Sequence, residues 1–323
     1  MKLAHRSLVV ASLALSAALA GTRTNAQIPP QKPAPKPAAP PPAAAPTQDK
    51  SDVERLAAWP TVDGKTLDAM RVDIERLRKA RTPEMGDQAH AALIAVGAAV
   101  VPELLPVLAK ERDEQARTRV VDALTELTTA AHTRLLAPEF ANKSREVRTW
   151  VMRRCGQFPD SALQPQAEAA LQKALSAVPK ADDRDDVAAV TEERYAASLC
   201  VTAAGSIKAL PALEKWVLES WGKRGVEMRA AFEAVRGKDA TDYANKLVAD
   251  PDRKRIVAGL NMLAGCGTHD ALKTVKPQLD STDNSIRIAA INAMRGIVDR
   301  APPIANLPVF EAIELAKKWK ERS

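Results

Sequence analysis

Aromatic side chains are scarce in this chain of 323 residues: five Trp, four Phe and two Tyr, or 3% of the whole. β-Rich cores draw on aromatic and β-branched residues in alternating runs, and such runs are almost absent as well. Histidine occurs four times, and only His90, His132 and His269 lie beyond the N-terminal segment. The three cysteines, Cys155, Cys200 and Cys266, cannot all pair internally. A body of more than 270 residues buries a core without such staples, so a disulfide framework is excluded. No Gly-x-Gly-x-x-Gly, Walker-type phosphate loop, Gly-x-Ser-x-Gly elbow or His-Glu-x-x-His is present. The local signatures of dinucleotide binding, nucleotide hydrolysis, serine-hydrolase and zincin chemistry are therefore missing.

The N-terminus carries a recognisable pattern. Lys2 and Arg6 precede an uncharged apolar run, Leu8 to Ala20, with small-x-small sites ending at Ala20 and at Ala26. That is the layout of a secretory signal, and the run is short of the ~20 apolar residues a spanning helix needs. Residues 1–26 are expected to be a signal peptide, cut after Ala20 or Ala26. No cysteine near either site indicates a lipid anchor. The chain is expected to be exported to the periplasm or cell envelope, with secretion as the other destination. Residues 28–46 hold nine prolines, and 27–50 reads as a disordered, extended spacer. The helical body is placed at 51–323.

The formal charge is +7. Lys2, Arg6, Arg23, Lys32, Lys36 and Lys50 against Asp49 put +5 of it in residues 1–50, leaving +2 for the body. A near-neutral body lacks the clustered cations that drive binding to phosphates, so no nucleic-acid partner is expected.

Within the body, apolar residues recur at helical spacing. Six segments open on an arginine followed by small and apolar residues, at Arg119, Arg148, Arg194, Arg229, Arg255 and Arg287. Their intervals of 29, 46, 35, 26 and 32 residues centre on the length of a helix pair. Second helices are expected at Ala209–Leu218, Asp270–Leu279 and Val309–Trp319. In "ALIAVGAAVVPELLPVLAK", Ala92 to Lys110, Gly97 suits a left-handed helix end and Pro102 the first turn of the next helix. Pro106 removes an amide donor and is less comfortable. Pairs this small cannot bury their own faces, so they stack into an α-solenoid.

The stretches "VGAAVVPELLPVL", "DPDRKRIVAGLNMLAG" and "DNSIRIAAINAMRGI" resemble HEAT repeats of the HEAT-like form found in bacterial proteins. The likeness runs from Gly64 to Ser323, strongest at 88–127 and 250–298 and weakest at 156–190. It implies an all-α fold, a right-handed α-α superhelix. It also implies that Asp283 with Arg287, and Asp252 with Arg255, tie neighbouring repeats together. The alternative for these arginines is an exposed row for an anionic ligand. Metal-holding HEAT-like enzymes use His-Glu pairs, and none of the three body histidines is followed by Glu. The likeness names a fold and leaves function open.

Candidate chemistry is sparse. Cys266-Gly-Thr-His269-Asp270 has Cys-x-x-His spacing, but zinc wants three or four protein ligands and the run falls where a turn is expected. Cys155 and Cys200 stand where other repeats place apolar residues and read as core filler. The run Asp182 to Asp186 is interrupted by Arg184 and lacks calcium-loop spacing, so it reads as a solvated loop. Trp216 and Trp221, flanked by Lys215, Lys223 and Arg224, stack on a ligand or anchor an interface if exposed, and fill a gap between repeats if buried. Trp216, Trp221, Lys223 and Arg224 are the candidate partner-binding set. No catalytic residue, cofactor or metal site is assigned. The expected function is a non-enzymatic HEAT-repeat scaffold holding a protein or peptide along its curved surface. The alternatives are a HEAT-like enzyme or accessory, of lyase or nucleic-acid repair type, and a structural envelope protein tethered through the spacer.

Overall fold

A computed structural model describes residues 54–322, within one compact unit, Thr47–Ser323. The expected signal and spacer lie outside the described residues. Among the described residues there is no strand, and the chain forms α1 (Gly64–Lys79), α2 (Pro83–Val96), α3 (Val101–Lys110), α4 (Glu114–Leu127), α5 (Arg145–Gln157), α6 (Gln164–Ser176), α7 (Arg184–Ala203), α8 (Leu210–Ala234), α9 (Lys238–Val248), α10 (Arg253–Cys266), α11 (Leu272–Val275), α12 (Asn284–Met294) and α13 (Val309–Arg322). The all-α expectation holds, and the packed helices are consistent with a helical solenoid.

Short polar side chains start these helices. Asp63, Thr82, Asp113, Ser144, Asp183, Asp252 and Asp283 each accept a hydrogen bond from a backbone N–H of the first turn. Those donors have no partner inside the helix, and each such cap is worth ~1 kcal/mol. Gly97 ends α2 at φ 84°, a conformation that penalises any Cβ, and Pro102 sits in the first turn of α3. The chain bends by 105° there.

The repeat arginines work mostly at the opposite helix ends. Arg119 donates to the carbonyls of Leu77 (2.7 Å) and Arg78 (2.9 Å), at the end of α1. Arg194 donates to Ala174 (3.2 Å) and Ala177 (2.6 Å), at the end of α6. A cation beside orphan carbonyls also meets the negative end of the helix dipole. The expected acid–arginine pairs need correction. Arg287 donates to the Ser281 carbonyl (2.7 Å) and the Asn284 side chain (3.3 Å), whereas Asp283 caps α12 and pairs with Arg253 of α10. Arg255 pairs with Asp250 (2.8 Å) and Glu214 (3.1 Å), and Asp252 is the cap of α10. The acid at each turn is taken by helix initiation, so the arginine finds other oxygens.

Two expected helices come out differently. Ala209–Leu218 and the segment opening at Arg229 join into the 25-residue α8, because no proline stands between them and interior glycine costs only ~1 kcal/mol. Asp270–Leu279 breaks into α11 between 3-10 turns at His269–Ala271 and Lys276–Asp280. Pro277 supplies no amide and crowds the carbonyl four residues earlier.

The core has two lobes. One runs from Met70 on α1 to Ala209, and the other from Tyr195 to Trp319 on α13. The wall between them is α7. Ala196, Ala197, Cys200 and Val201 face the first lobe, and Tyr195, Leu199 and Ala203 the second. A helix buried on all sides needs apolar or small residues all round, and residues 195–203 supply them.

Candidate functional site

Three helices of the first lobe turn the same face toward one groove. On α4 that face is Glu114, Arg117, Thr118 and Val121; on α5 it is Glu146, Thr149, Trp150 and Arg153; on α7 it is Asp185, Ala188, Ala189 and Glu192. Each set has the i, i+3, i+4, i+7 spacing that aligns side chains along one stripe of a helix. Leu108 and Arg112 close the α3 end, and Arg145, Asp183 and Asp186 the opposite rim. The groove holds a volume of about 880 Å³. Ligand pockets typically measure 300 to 1,000 Å³, so the groove is of ligand size.

Glu114, Glu146 and Asp185 all stand in the first turn of their helices, where a negative charge complements the helix dipole. They form an acidic edge. Trp150 reaches the groove from the first-lobe core, only 6% exposed, with its indole N–H donated to Thr125 Oγ1 at 3.1 Å. Opposite it, Ala188 and Ala189 leave the α7 wall low.

Most groove charges are already engaged. Arg145 contacts Asp186 (2.6 Å) and Glu193 (3.2 Å), and Arg148 behind it donates to Glu193 at 2.6 Å. Arg153 pairs with Glu192, which also receives Arg224 at 2.7 Å. The Arg145 bond holds the Asp186 carboxyl below its ordinary value. Burial pushes Glu192 up, but Arg224 and Arg153 outweigh it and the carboxyl lies low. Glu146 follows the same pattern: burial raises it, while the Ser144 hydroxyl (2.6 Å), its own amide, Arg112 and Arg117 bring it down. Among the described residues Arg112 and Arg117 themselves make no side-chain hydrogen bond or ion pair. The groove thus holds fixed ion pairs at its α7 side and vacant guanidinium donors at its α3–α4 side.

The residues singled out from sequence are dispersed. Trp216 is buried in the second lobe, edge-on to Tyr195 at 5.1 Å. Arg224 lies over the Tyr195 ring at 4.1 Å and over Trp216 at 5.6 Å while holding Glu192. Trp221 is half-buried against the second lobe, and Lys223 is exposed. Of the set, Lys223 alone stands fully in solvent. Cys266 is buried at the end of α10, its thiol 3.6 Å from the Ala240 carbonyl, and His269 lies in the following turn. Cys155 and Cys200 are buried in the first lobe. In the Asp182–Asp186 run, Asp183 caps α7 and Asp186 takes Arg145. Among the described residues no group of three or more His, Cys, Asp or Glu side chains is arranged to hold a metal ion. The groove was missed in the sequence because its three faces lie 32 and 39 residues apart, as Glu114, Glu146 and Asp185 show. The signal was there: a polar i, i+3, i+4, i+7 stripe on successive repeat helices.

No family model matches the chain. No curated protein matches it either. Among solved structures it is similar to a chain in the structure of the complex of CpcE and CpcF of phycocyanin lyase from Nostoc sp. PCC7120. The likeness is at 17% identity and a TM-score of 0.36, over 80% of this chain and 96% of that one. That neighbour is described as part of a lyase, and the expectation of a non-enzymatic scaffold is corrected accordingly. A likeness this distant assigns no reaction to the present chain.

Proposed function

We propose that this chain is a HEAT-like α-α superhelix serving as a lyase-like enzyme or enzyme accessory, with the α4–α5–α7 groove as the place where its ligand is held. The observation that carries the reading is the groove itself: about 880 Å³, an apolar lining from α4 and α7, and charged side chains of which two guanidiniums are unpaired. Engaged pairs such as Arg145–Asp186 fix the walls before a ligand arrives, which lowers the ordering cost of binding. Six carboxylates against four guanidiniums in the lining disfavour a polyanion, in line with the small net charge of the body. Export through residues 1–26 and a spacer at 27–50 are part of the same proposal, and an N-terminus found at Gly21 or Gln27 on the mature protein supports it. A protein partner fits an accessory role.

The test is a thermal-shift screen of small carboxylates, phosphates, amines and neutral aromatics on the full chain and on Ala188→Leu/Ala189→Leu. Both alanines are at least partly exposed, so leucine fills the groove without disturbing the core. The reading expects at least one class to raise the melting temperature of the parent and not of the variant. A shift shared by both proteins, or none with any class, overturns it.

A further inference from the structure

The ligand class follows from which groups in the groove lack partners. Arg145 and Arg153 are neutralised by Asp186, Glu193 and Glu192. The Trp150 indole N–H is given to Thr125, and the Thr118 hydroxyl to the Glu114 carbonyl at 2.9 Å. Of the donors, what remains among the described residues are the guanidiniums of Arg112 and Arg117 and the half-buried hydroxyl of Thr149, while the Glu114 and Asp185 carboxylates on the acidic edge are also without a side-chain partner. A guanidinium presents its donors in a planar fork that matches a carboxylate in bidentate fashion. Glu146 and Glu114 stand in the same groove and form no ion pair with either arginine. Glu146 is instead held by the Ser144 hydroxyl. Its field together with that of Glu114 balances two cations in number but leaves their donors unused.

The space beside those donors is apolar. Val121 on α4 and Ala188 and Ala189 on α7 are its accessible apolar lining, with Leu108 and Trp150 contributing from the core. Ala188 and Ala189 leave room there that larger α7 residues would close. The acidic edge of Glu114, Glu146 and Asp185 repels a second negative charge on the same ligand.

We propose that the groove binds an apolar molecule carrying a single carboxylate, with the carboxylate on Arg112, Arg117 and Thr149 and the apolar part along Val121, Ala188 and Ala189. This rests on the reading of the groove as the ligand site. Calorimetric titration of the full chain with 1-naphthaleneacetate, 1-naphthalenemethanol and 1-naphthalenemethylamine separates the two. The three share a ring and differ in charge. Charge-assisted bonds of this kind make the acetate bind about tenfold or more tightly than the alcohol. In Arg112→Gln/Arg117→Gln that preference disappears while alcohol binding persists. Both positions are outside the core, so the double variant keeps its fold, checked by circular dichroism. If the alcohol and amine bind as well as the acetate, and Ala188→Leu/Ala189→Leu blocks all three, the groove reading stands and the carboxylate inference is overturned. Binding of none of the three overturns the carboxylate inference, and the groove reading is then decided by the thermal-shift screen.

Discussion

The two lobes of the core are built by different means. In the second lobe, helices meet backbone to backbone at glycine. A methyl group on Gly259 of α10 would lie 2.7 Å from the Ala244 carbonyl oxygen on α9. One on Gly296, just past α12, would lie 2.7 Å from the Ala264 carbonyl carbon and closer still to its oxygen. In the first lobe the corresponding contacts are looser: a methyl on Gly156 would sit 3.7 Å from the Cys200 backbone. There the helices are joined by charge instead, through Arg148, Glu193, Arg145 and Asp186. Glycine contacts seal an interface and leave no room. Side-chain pairs also join helices in the second lobe, at Arg253–Asp283 and Arg255–Glu214, but only in the first lobe do they line a groove.

Breaking the charge joint has the largest expected effect. Arg148→Ala strands Glu193, whose side chain is 2% exposed, with Arg145 as its remaining counter-charge. Removing one partner of a buried pair costs about 3 kcal/mol or more, read as a lower urea midpoint. Arg148→Met/Glu193→Leu recovers most of it, since replacing both partners by apolar groups is often neutral. Next comes the glycine contrast. Gly296→Ala costs about 2 to 3 kcal/mol through overpacking against fixed backbone. Gly156→Ala falls within about 1 kcal/mol of the parent, because ordinary van der Waals contact is offset by better helix propensity. Equal costs at the two positions would erase the distinction between the lobes.

A smaller effect is expected at the seam. Glu168 on α6 accepts from Lys208 and Ser206 ahead of α8, and from Gln164. The Lys208 bond, then Gln164 and Ser206, lower its carboxyl to about 2 from an ordinary 4.5. A lowered carboxylate stabilises the fold above the unfolded value and loses that contribution as pH falls from about 4.5 toward 2. Urea midpoints across that window drop less steeply for Glu168→Gln than for the parent. The smallest effect is kinetic. Burial pushes the Cys155 and Cys266 thiols to about 12 and Cys200 well above its ordinary value. A thiol-disulfide reagent labels none of the three in the native protein and all three in denaturant.

The sequence is informative about elements and weak on pairings. Gly97 and Pro102 announce the α2–α3 bend, because each residue type has one backbone use there. The arginine at the start of each repeat is equally visible, yet its partners are not. Arg119 reaches carbonyls 41 and 42 residues back, and Arg255 skips the Asp252 that sequence spacing offers it. Trp216 illustrates the same limit: flanking lysine and arginine suggest a surface, but Tyr195 from another helix buries it. The groove needs three helices brought side by side, and no single window of sequence contains more than one of its faces.

Hydrogen exchange of the full chain, free and with 1-naphthaleneacetate, tests most directly the claim that the open lobe is the ligand-holding one. The account predicts slowed exchange in segments 112–121, 145–153 and 183–192, with segment 238–299 of the sealed lobe unchanged. Protection concentrated in 238–299, or a bound ligand that protects none of the three groove segments, would contradict it.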